Sequence, residues 1–387
     1  MSEPFSRLEK AIAGLETPIA VIDGPALWAN ADDLVRRAGG VPVRVASKSV
    51  RVRGIVEGAL ARDGFAGVMS YSLAESTWLA DAGIDDILLA YPTTNRSALH
   101  GLVADDKRRA AITLMVDSVE SLDFIDDAIG ANHPPIRVCI DVDASLRIGP
   151  VHLGVRRSPV HTVKEAAKLA AAIAKRDGFN LVGVMFYDAQ IAGLPDASRA
   201  VRMVKARSAA ELLERRTKVV DAVSTHANLE IVNAGGTGSL EVTGADPAIT
   251  ELTAGSGLFN PTLFDGYDAW DARAAAYFAL SVVRKPTRNI ATLFGGGYIA
   301  SGPTNKNRQP TPTWPEGLDL IGTEGSGEVQ TPVKGRAARS LSIGDRVWMR
   351  HAKAGEMCER FDAVHVVGAD DTVTAMPTYR GEGKNFG

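Results

Sequence analysis

The sequence has little cysteine, no long apolar run and no cluster of basic residues, and each absence excludes a class of protein. Two cysteines in 387 residues, Cys139 and Cys358, cannot form the disulfide framework of a small secreted domain. No run of about 20 apolar residues is present, so we expect no membrane span. The first residues carry Glu and Lys where a secretory signal is apolar. We therefore expect a soluble cytoplasmic protein.

The charges are nearly balanced, which argues against nucleic acid as a partner. Lys and Arg number 43 and Asp and Glu number 46, giving a formal net charge of -3. No basic stripe and no patch of Lys and Arg interleaved with aromatic residues appears. A small molecule is therefore the expected ligand, rather than nucleic acid or a membrane.

Short apolar runs alternate with amphipathic, helix-like segments through the first two thirds of the chain. Strands are predicted at residues 18–23, 41–47, 65–71, 86–91, 111–117, 136–143, 181–188, 229–236 and 249–255. Near-continuous apolar strands alternating with helices indicate a parallel sheet covered by helices. Nine candidates compete for the eight places of a (β/α)8 barrel, and the first, at 18–23, is the simplest one to pair elsewhere. A doubly wound open sheet is the alternative, but no G-x-G-x-x-G follows an early strand.

After residue 275 the pattern changes to short strands separated by turn residues. This predicts an all-β C-terminal domain over residues 275–387, which would cover a site in the barrel domain of residues 1–274. The fold class is therefore α/β, a TIM barrel with a C-terminal all-β domain.

Polar residues at the predicted C-terminal strand ends are the candidates for function, because active sites of such barrels lie at that face. In "VPVRVASKSVR" (41–51), Lys48 follows an apolar strand. It is either a solvated charge or an amine that bonds a carbonyl. "NAGGTGS" (233–239) and "TAGSG" (253–257) end two successive strands and predict a phosphate site built from backbone N–H groups, with tight turns as the alternative.

Two further strand ends carry polar groups. "DVDASLRIG" (141–149) contains Arg147, which either pairs with a surface carboxylate or approaches an anionic ligand. "MFYDAQ" (185–190) offers Tyr187 and Gln190 for contacts with a ring or for hydrogen bonds.

Seven segments, taken in order, resemble the fold-type III pyridoxal-phosphate enzymes of the alanine racemase N-terminal type. They are TPIAVID, RVASK, SLAES with ADAGIDDILLAY, DVDASLRIG, GVMFYDAQ, NAGGTGS and ELTAGSG. Within that group the chain looks most like the D-threonine aldolase and D-serine dehydratase branch. The resemblance covers residues 15–260 well and 320–387 more loosely.

The resemblance implies a pyridoxal 5'-phosphate cofactor, a homodimer and a set of site residues. By position, Lys48 matches the lysine that forms the internal aldimine, and Arg44 matches an arginine four residues earlier that is expected at the substrate. The positions that match cofactor-binding residues are Arg147, Tyr187, Gly235, Gly236, Thr237, Gly255 and Ser256. Gln190 is expected to bind the cofactor because of its place at the strand end.

The metal site typical of that branch is altered here. His351 matches the family's histidine ligand, but Lys353 occupies the second ligand position, and an ammonium group cannot bind a cation. Either Cys358 replaces the missing ligand, or Lys353 supplies the positive charge and His351 transfers a proton. The sequence leaves open whether a divalent metal (Zn²⁺, Mn²⁺ or Mg²⁺) binds.

The C-terminal "TYRGEGKNF" suggests a further contact to the substrate. In this architecture the β domain of one subunit covers the mouth of a barrel, often that of the partner subunit, so Arg380 is expected to hold a substrate carboxylate with Tyr379 nearby.

Three functions follow from the resemblance. The first is a lyase for β-hydroxy D-amino acids, cleaving like D-threonine aldolase or eliminating like D-serine dehydratase. The second is an amino acid racemase or epimerase, which needs a base opposite Lys48, with Tyr379 as the candidate. The third is a non-catalytic pyridoxal-phosphate-binding protein.

Overall fold

Eight parallel strands close into a barrel in the computed structural model, which describes residues 3–268, 270, 273–303 and 305–387. Taken together, the strands in chain order are β1 Ile19–Asp23, β2 Val43–Ala46, β3 Phe65–Ser70, β4 Ile87–Leu89, β5 Ile112–Val116, β6 Ile136–Asp141, β7 Leu146–Ile148, β8 Val151–Leu153, β9 Phe179–Phe186, β10 Ile231–Ala234, β11 Glu251–Ala254, β12 Ala276–Thr287, β13 Ile290–Phe294, β14 Thr311–Trp314, β15 Leu318–Leu320, β16 Gln330–Gly335, β17 Arg346–Arg350, β18 Ala363–Val367 and β19 Val373–Pro377.

Helices follow most barrel strands, as the amphipathic segments predict. The α-helices are α1 Glu3–Ala11, α2 Gly24–Arg37, α3 Arg53–Leu60, α4 Leu73–Asp81, α5 Arg96–Val103, α6 Asp106–Ala111, α7 Val119–Ile129, α8 Val163–Ile173, α9 Ala189–Ala192, α10 Arg199–Ser224, α11 Leu240–Gly244 and α12 Ser256–Phe259. Short 3₁₀ helices cover Ser47–Ser49, Thr262–Phe264, Lys306–Arg308, Ala337–Ser340 and Glu356–Arg360. In the described part of the chain, the helices are too short or too polar to span a bilayer.

The barrel has the order β10-β11-β2-β3-β4-β5-β6-β9, and its neighbouring strands are parallel. This confirms the predicted (β/α)8 barrel. Apolar side chains of the strands meet inside it, among them Leu88, Met115, Cys139 and Val182. The filled interior leaves the C-terminal strand ends as the open face on which a site can be built.

A second, mostly antiparallel sheet holds the remaining long strands, in the order β15-β16-β13-β12-β1-β18-β19 with β17 between β12 and β14. Strand β1 lies here and not in the barrel, pairing antiparallel with β12 and parallel with β18. Helix α1 covers this sheet with Phe5, which contacts the rings of Tyr277, Trp314 and Trp348. The N-terminus therefore ties the two units together, and the division at residues 274 and 275 stays a prediction.

Candidate active site

Lys48 lies in the 3₁₀ helix that directly follows barrel strand β2, at the open face of the barrel. The buried Ser47 anchors this turn, since its hydroxyl donates to the carbonyl of Met69 at 3.1 Å. Lys48 itself is exposed, and its Nζ donates a hydrogen bond to the hydroxyl of Tyr91 at 2.7 Å. The amine is therefore held in place by a residue that follows strand β4, while it remains accessible to a ligand.

Tyr91 and Arg157 belong to the site, although neither is among the residues predicted from the sequence. The Arg157 guanidinium lies 5.8 Å from the ring centroid of Tyr91 and 5.8 Å from that of Tyr187. Burial acts to raise the pKa of Tyr91, but Lys48 and Arg157 outweigh it and lower that pKa. Tyr91 is the last residue of the predicted strand 86–91, so its place at a strand end is a signal in the sequence. Arg157 lies in an irregular loop that offers no periodic signal.

Arg147 does not reach the two rings. Its Nη2 donates to the Asp143 carboxylate at 2.5 Å, and its side chain is 41% exposed. Burial opposes ionisation of Asp143, but the hydrogen bonds from Ser145 and Arg147 lower its pKa below the ordinary value. Arg147 therefore forms an ion pair with a carboxylate. Arg157, ten residues later in the same loop, is the arginine that lies beside the two rings.

The Asp141 carboxyl group and the Gln190 amide also lie at these strand ends. Burial raises the pKa of Asp141 to about 7, with a further contribution from the neighbouring Asp117, while Arg157 opposes the shift. A group with this pKa exchanges protons near neutral pH. Gln190, also predicted at the site, donates from Nε2 to the carbonyl of Ala144 at 2.7 Å, and its buried Oε1 has no hydrogen-bond partner among the described residues.

The two glycine turns meet, as their sequence pattern predicts. Thr237 Oγ1 lies 3.2 Å from Ser256 Oγ and accepts from the amide of Gly257 at 3.1 Å. Gly235 has φ of +82°, which favours glycine. A Cβ at Gly255 would lie 2.5 Å from the carbonyl oxygen of Ala46. The turns are therefore closely packed and expose backbone to the site.

Gly236 connects these turns to the ring of Tyr187. A Cβ at Gly236 would lie 3.6 Å from Tyr187 Cε2 and 2.8 Å from Ala192 Cβ. Beneath the turn, the buried Asp188 accepts hydrogen bonds from Ser239 and Thr243 at 3.0 and 2.6 Å. The predicted phosphate turns and the predicted ring contact thus form one cradle.

Arg37 supports the same cradle from outside and was missed. The buried guanidinium, at the end of α2, donates from Nη2 to the carbonyl of Thr237 at 2.7 Å and pairs with Glu241 at 2.5 Å. Its sequence position, in the last turn of an amphipathic helix, resembles that of any surface arginine. Only the tertiary contact reveals that it fixes the turn.

A loop of the second sheet reaches across to Lys48. Gly355 has φ of +90°, and a Cβ there would lie 2.0 Å from the carbonyl oxygen of Lys48. Arg51 pairs with Glu359 at 2.6 Å, which adds an electrostatic contact between the two units. In this loop, Lys353 donates from Nζ to the hydroxyl of Ser301 at 2.7 Å. The structure therefore brings Lys353 to the same face as Lys48.

His351 and Cys358 are enclosed, and these side chains do not fit a metal. His351 is 2% exposed, lies edge-on to Phe259, and burial, aided by Arg350, lowers its pKa to about 3. The backbone of Ala276 approaches the ring, but neither ring nitrogen makes a well-formed hydrogen bond to a described residue. Burial raises the pKa of Cys358 to about 12.

These placements correct two predictions. No three His, Cys, Asp or Glu side chains of the described residues are grouped as a metal site would require. His351 and Cys358 therefore do not form the repaired metal site. The enclosed imidazole also cannot approach a substrate at the barrel face as a proton-transfer group.

Three residues predicted to bind substrate are engaged elsewhere. Arg44 points into the barrel toward the N-terminal strand ends, pairing with Glu251 at 2.6 Å and Asp86 at 2.8 Å. Tyr379 is fully buried, with its hydroxyl donating to Glu75 at 2.9 Å. Arg380 is exposed and pairs with Asp362 at 3.0 Å. Arg44 and Tyr379 thus make structural contacts, and Arg380 does not reach Lys48 of the same chain. Their roles in binding substrate stay predictions.

Known proteins share this fold over most of the chain. D-threonine aldolase from Filomicrobium marinum aligns with a TM-score of 0.80 at 20% identity, covering 96% of both chains. D-threo-3-hydroxyaspartate dehydratase from Delftia sp. HT23 aligns with a TM-score of 0.71 at 20% identity, covering 94% of this chain and 97% of that one. Alanine racemase from Corynebacterium glutamicum gives 0.59 at 17% identity, with 85% and 88% covered.

At sequence level, no curated protein matches significantly. A domain model does match, namely that of the alanine racemase N-terminal domain, over residues 22–259. This span is more than half of the chain and contains Lys48, Tyr91, Arg157, Tyr187 and both glycine turns. The protein therefore belongs to the family of the alanine racemase N-terminal domain, the fold-type III group of pyridoxal-phosphate-dependent proteins.

Proposed function

We propose that this protein is a pyridoxal-phosphate-dependent lyase acting on β-hydroxy D-amino acids. One observation carries the proposal. The Lys48 amine lies at the barrel face, where it donates a hydrogen bond to Tyr91 at 2.7 Å and has a second amine, that of Lys353, nearby. The relatives of similar fold include a D-threonine aldolase and a D-threo-3-hydroxyaspartate dehydratase, which agrees with a lyase.

The residues of the site fit the cofactor. The glycine turns at 235–237 and 255–256 offer a backbone cradle that side chains at Gly236 and Gly255 would fill. Such a cradle suits a phosphate group. Tyr187 and Arg157 lie beside it for a ring. Lys48 is the amine that would bind the cofactor aldehyde covalently.

Lys48 and Lys353 carry out the two proton transfers that elimination requires. When bound, the cofactor withdraws electrons from the α-carbon of the substrate. The Lys48 amine then takes the α-proton, and the Tyr91 hydroxyl holds Nζ in place for this transfer. The Lys353 ammonium gives a proton to the departing β-hydroxyl, which leaves as water. Lys353 thus supplies positive charge where the family's second metal ligand would lie.

The contacts of His351, Tyr379 and Lys353 distinguish elimination from the alternative functions. Retro-aldol cleavage needs a base for the β-hydroxyl proton, and the enclosed His351 cannot act as one. A racemase needs a base opposite Lys48, and its candidate Tyr379 is buried against Glu75. A protein that binds the cofactor without catalysis would not require Lys353 in the loop that contacts Lys48. Elimination therefore agrees best with these contacts.

The absorption spectrum tests the proposal. We expect a visible band for the purified protein with pyridoxal phosphate, and a change of that band on adding D-threonine or D-serine. Lys48→Ala should lose the band, whereas Lys306→Ala, which removes an exposed lysine of the β domain, should keep it. Ammonia with a 2-oxo acid would indicate elimination, and glycine with an aldehyde would indicate cleavage. A wild-type protein that stays colourless with added cofactor would contradict the proposal.

The homodimer and the cytoplasmic location expected from the sequence stay predictions. Sedimentation equilibrium of the purified protein tests the first, and fractionation of cells tests the second.

A further inference from the structure

Glu75 is a fully buried carboxyl group that lies against the turn carrying Lys48. It belongs to the first turn of α4, and its Oε2 accepts the amide of Tyr71 at 2.7 Å. Its Oε1 accepts the hydroxyl of Tyr379 at 2.9 Å. The Ser47 hydroxyl lies within hydrogen-bonding distance of both Glu75 and Tyr379. Glu75 therefore joins the residue before Lys48 to the segment that follows β19.

The Ser47 hydroxyl has one hydrogen and more than one acceptor for it. In the structure it donates to the carbonyl of Met69 in β3 at 3.1 Å, and the Glu75 carboxyl is the competing acceptor. Ser47 begins the 3₁₀ helix Ser47–Ser49, so its bond to Met69 attaches the turn that carries Lys48 to the neighbouring strand. The acceptor that Ser47 uses therefore affects how firmly Lys48 is held.

The charge on Glu75 determines which acceptor Ser47 prefers. An ionised carboxylate only accepts, and a hydrogen bond to it is about twice as strong as one to a neutral carbonyl. Ionised Glu75 thus draws the Ser47 hydrogen away from Met69. A neutral carboxyl group instead carries its own hydrogen and donates it to a neighbouring hydroxyl, so Ser47 keeps its bond to Met69. The turn is therefore attached to β3 when Glu75 is neutral and released when Glu75 is ionised.

Glu75 changes its charge near neutral pH, whereas the groups that face it do not. Burial raises the pKa of Glu75 to about 7, although its hydrogen bonds and the charge of Arg51 oppose the shift. Burial also raises the pKa of the Tyr71 and Tyr379 hydroxyls above their usual range, so both stay protonated. Arg51 keeps its charge throughout and pairs with Glu359 at 2.6 Å. Of Glu75 and the two phenols, only Glu75 therefore titrates near neutral pH.

We infer that Glu75 is a positioning residue for Lys48. Through Ser47, its neutral form attaches the Lys48 turn to strand β3, and its ionised form releases that turn. The inference rests on the proposed function for the role of Lys48, and it adds a means by which pH regulates the site. Because the Lys48 amine must be held at Tyr91 to meet the cofactor, release of the turn weakens cofactor binding.

Hydrogen exchange of the cofactor-free protein provides the first test. The amides of Val50 and Arg51 donate to the Ser47 carbonyl at 2.9 and 2.8 Å, so the peptide 47–51 reports the order of the turn. Glutamine keeps the shape of Glu75 and cannot ionise. At about pH 8.5 we expect this peptide to exchange about twofold to tenfold faster in wild type than in Glu75→Gln, the range for one hydrogen bond. At about pH 5.5 the two proteins should exchange equally.

Ser47→Ala distinguishes this route from a change in overall stability. Without the Ser47 hydroxyl, the peptide should exchange quickly at both pH values, and adding Glu75→Gln should have no further effect. Glu57→Gln, which alters an exposed carboxyl group in α3, should behave like wild type. If Glu75→Gln slows exchange equally with and without the Ser47 hydroxyl, Glu75 does not act through Ser47 and the inference is overturned.

The pH profile of cofactor binding separates this inference from the lyase proposal. Dissociation constants for pyridoxal phosphate should agree between wild type and Glu75→Gln at about pH 5.5. At about pH 8.5 the variant should bind more tightly, by up to about tenfold. A protein that does not bind the cofactor but keeps the difference in exchange would refute the lyase proposal and leave the role of Glu75 intact. Equal cofactor affinities at about pH 8.5 would refute the positioning role.

Discussion

The α-carbon of Gly355 lies directly against the carbonyl oxygen of Lys48, so that a β-carbon at 355 would come within 2.0 Å of it. This contact joins the loop of the second sheet to the strand end that carries the reactive amine. Real Cβ contacts are never so short, and φ at Gly355 is +90°. Only glycine allows the loop to lie here.

The Gly355→Ala variant should therefore lose both stability and the alignment of the site. We expect a loss of about 3 kcal/mol in the free energy of unfolding, since the clash adds to backbone strain. Gly344→Ala is the matched control, because φ is +94° there and nothing lies within 4 Å of a Cβ. It should cost about 1 kcal/mol. Urea unfolding measures the stability of each variant, and cofactor titration measures the alignment of the site. Equal losses of stability in the two variants would show that the contact with Lys48 is not the cause.

Glu75 should make stability depend on pH around neutrality. Burial raises its pKa from 4.5 to about 7, although hydrogen bonds from Tyr71 and Tyr379 oppose the shift. A carboxyl group whose pKa is raised on folding stabilises the folded state fully below pH 4.5, and this contribution is lost as the pH rises through about 7.

Glu75→Gln should remove this pH dependence. Relative to wild type, we expect the variant to gain stability between pH 5 and pH 8, by at most about 3 kcal/mol. Unfolding free energies measured across that range, with Glu57→Gln as a partly exposed control, provide the check. A constant difference between variant and wild type would show that Glu75 titrates with an ordinary pKa.

Arg157 and Arg147 lie in the same loop and should differ in their effect on the cofactor. Arg157→Met removes the charge over Tyr91 and Tyr187, and we expect cofactor affinity to fall about tenfold. Arg147→Met loses only a partly exposed pair with Asp143 and should leave the affinity nearly unchanged. Titration of cofactor-free protein with pyridoxal phosphate compares them. A larger loss of cofactor affinity in Arg147→Met than in Arg157→Met would instead assign Arg147 to the cofactor site.

Arg44→Met should act on stability and not on substrate recognition. It would leave Glu251, whose side chain is 11% exposed, without its partner inside the barrel. We expect a loss of about 3–5 kcal/mol, as for other buried pairs from which one member is removed. Chemical unfolding measures the loss. An unchanged unfolding midpoint together with a raised KM would instead assign Arg44 to the substrate.

The barrel and the glycine turns could be predicted from the sequence because their signals are local. Each barrel strand is an apolar run of the right length, and each turn carries glycine where backbone must be exposed or φ must be positive, as at Gly235. The position of Lys48 follows from the same rule, since it directly succeeds such a run. These features depend on neighbours in sequence, which the pattern records.

The partners of charged side chains were decided only by the tertiary structure. Arg44 and Arg157 carry the same charge, but Arg44 meets two carboxylates contributed by other strand ends, whereas Arg157 has no carboxylate oxygen within 4.0 Å among the described residues. Tyr379 pairs with Glu75 across 304 residues. The sequence by itself determined which strands close the barrel and where its amine lies. Which cations remain free for a ligand depended on the packing of the β domain against the barrel, because an ion pair requires proximity in space.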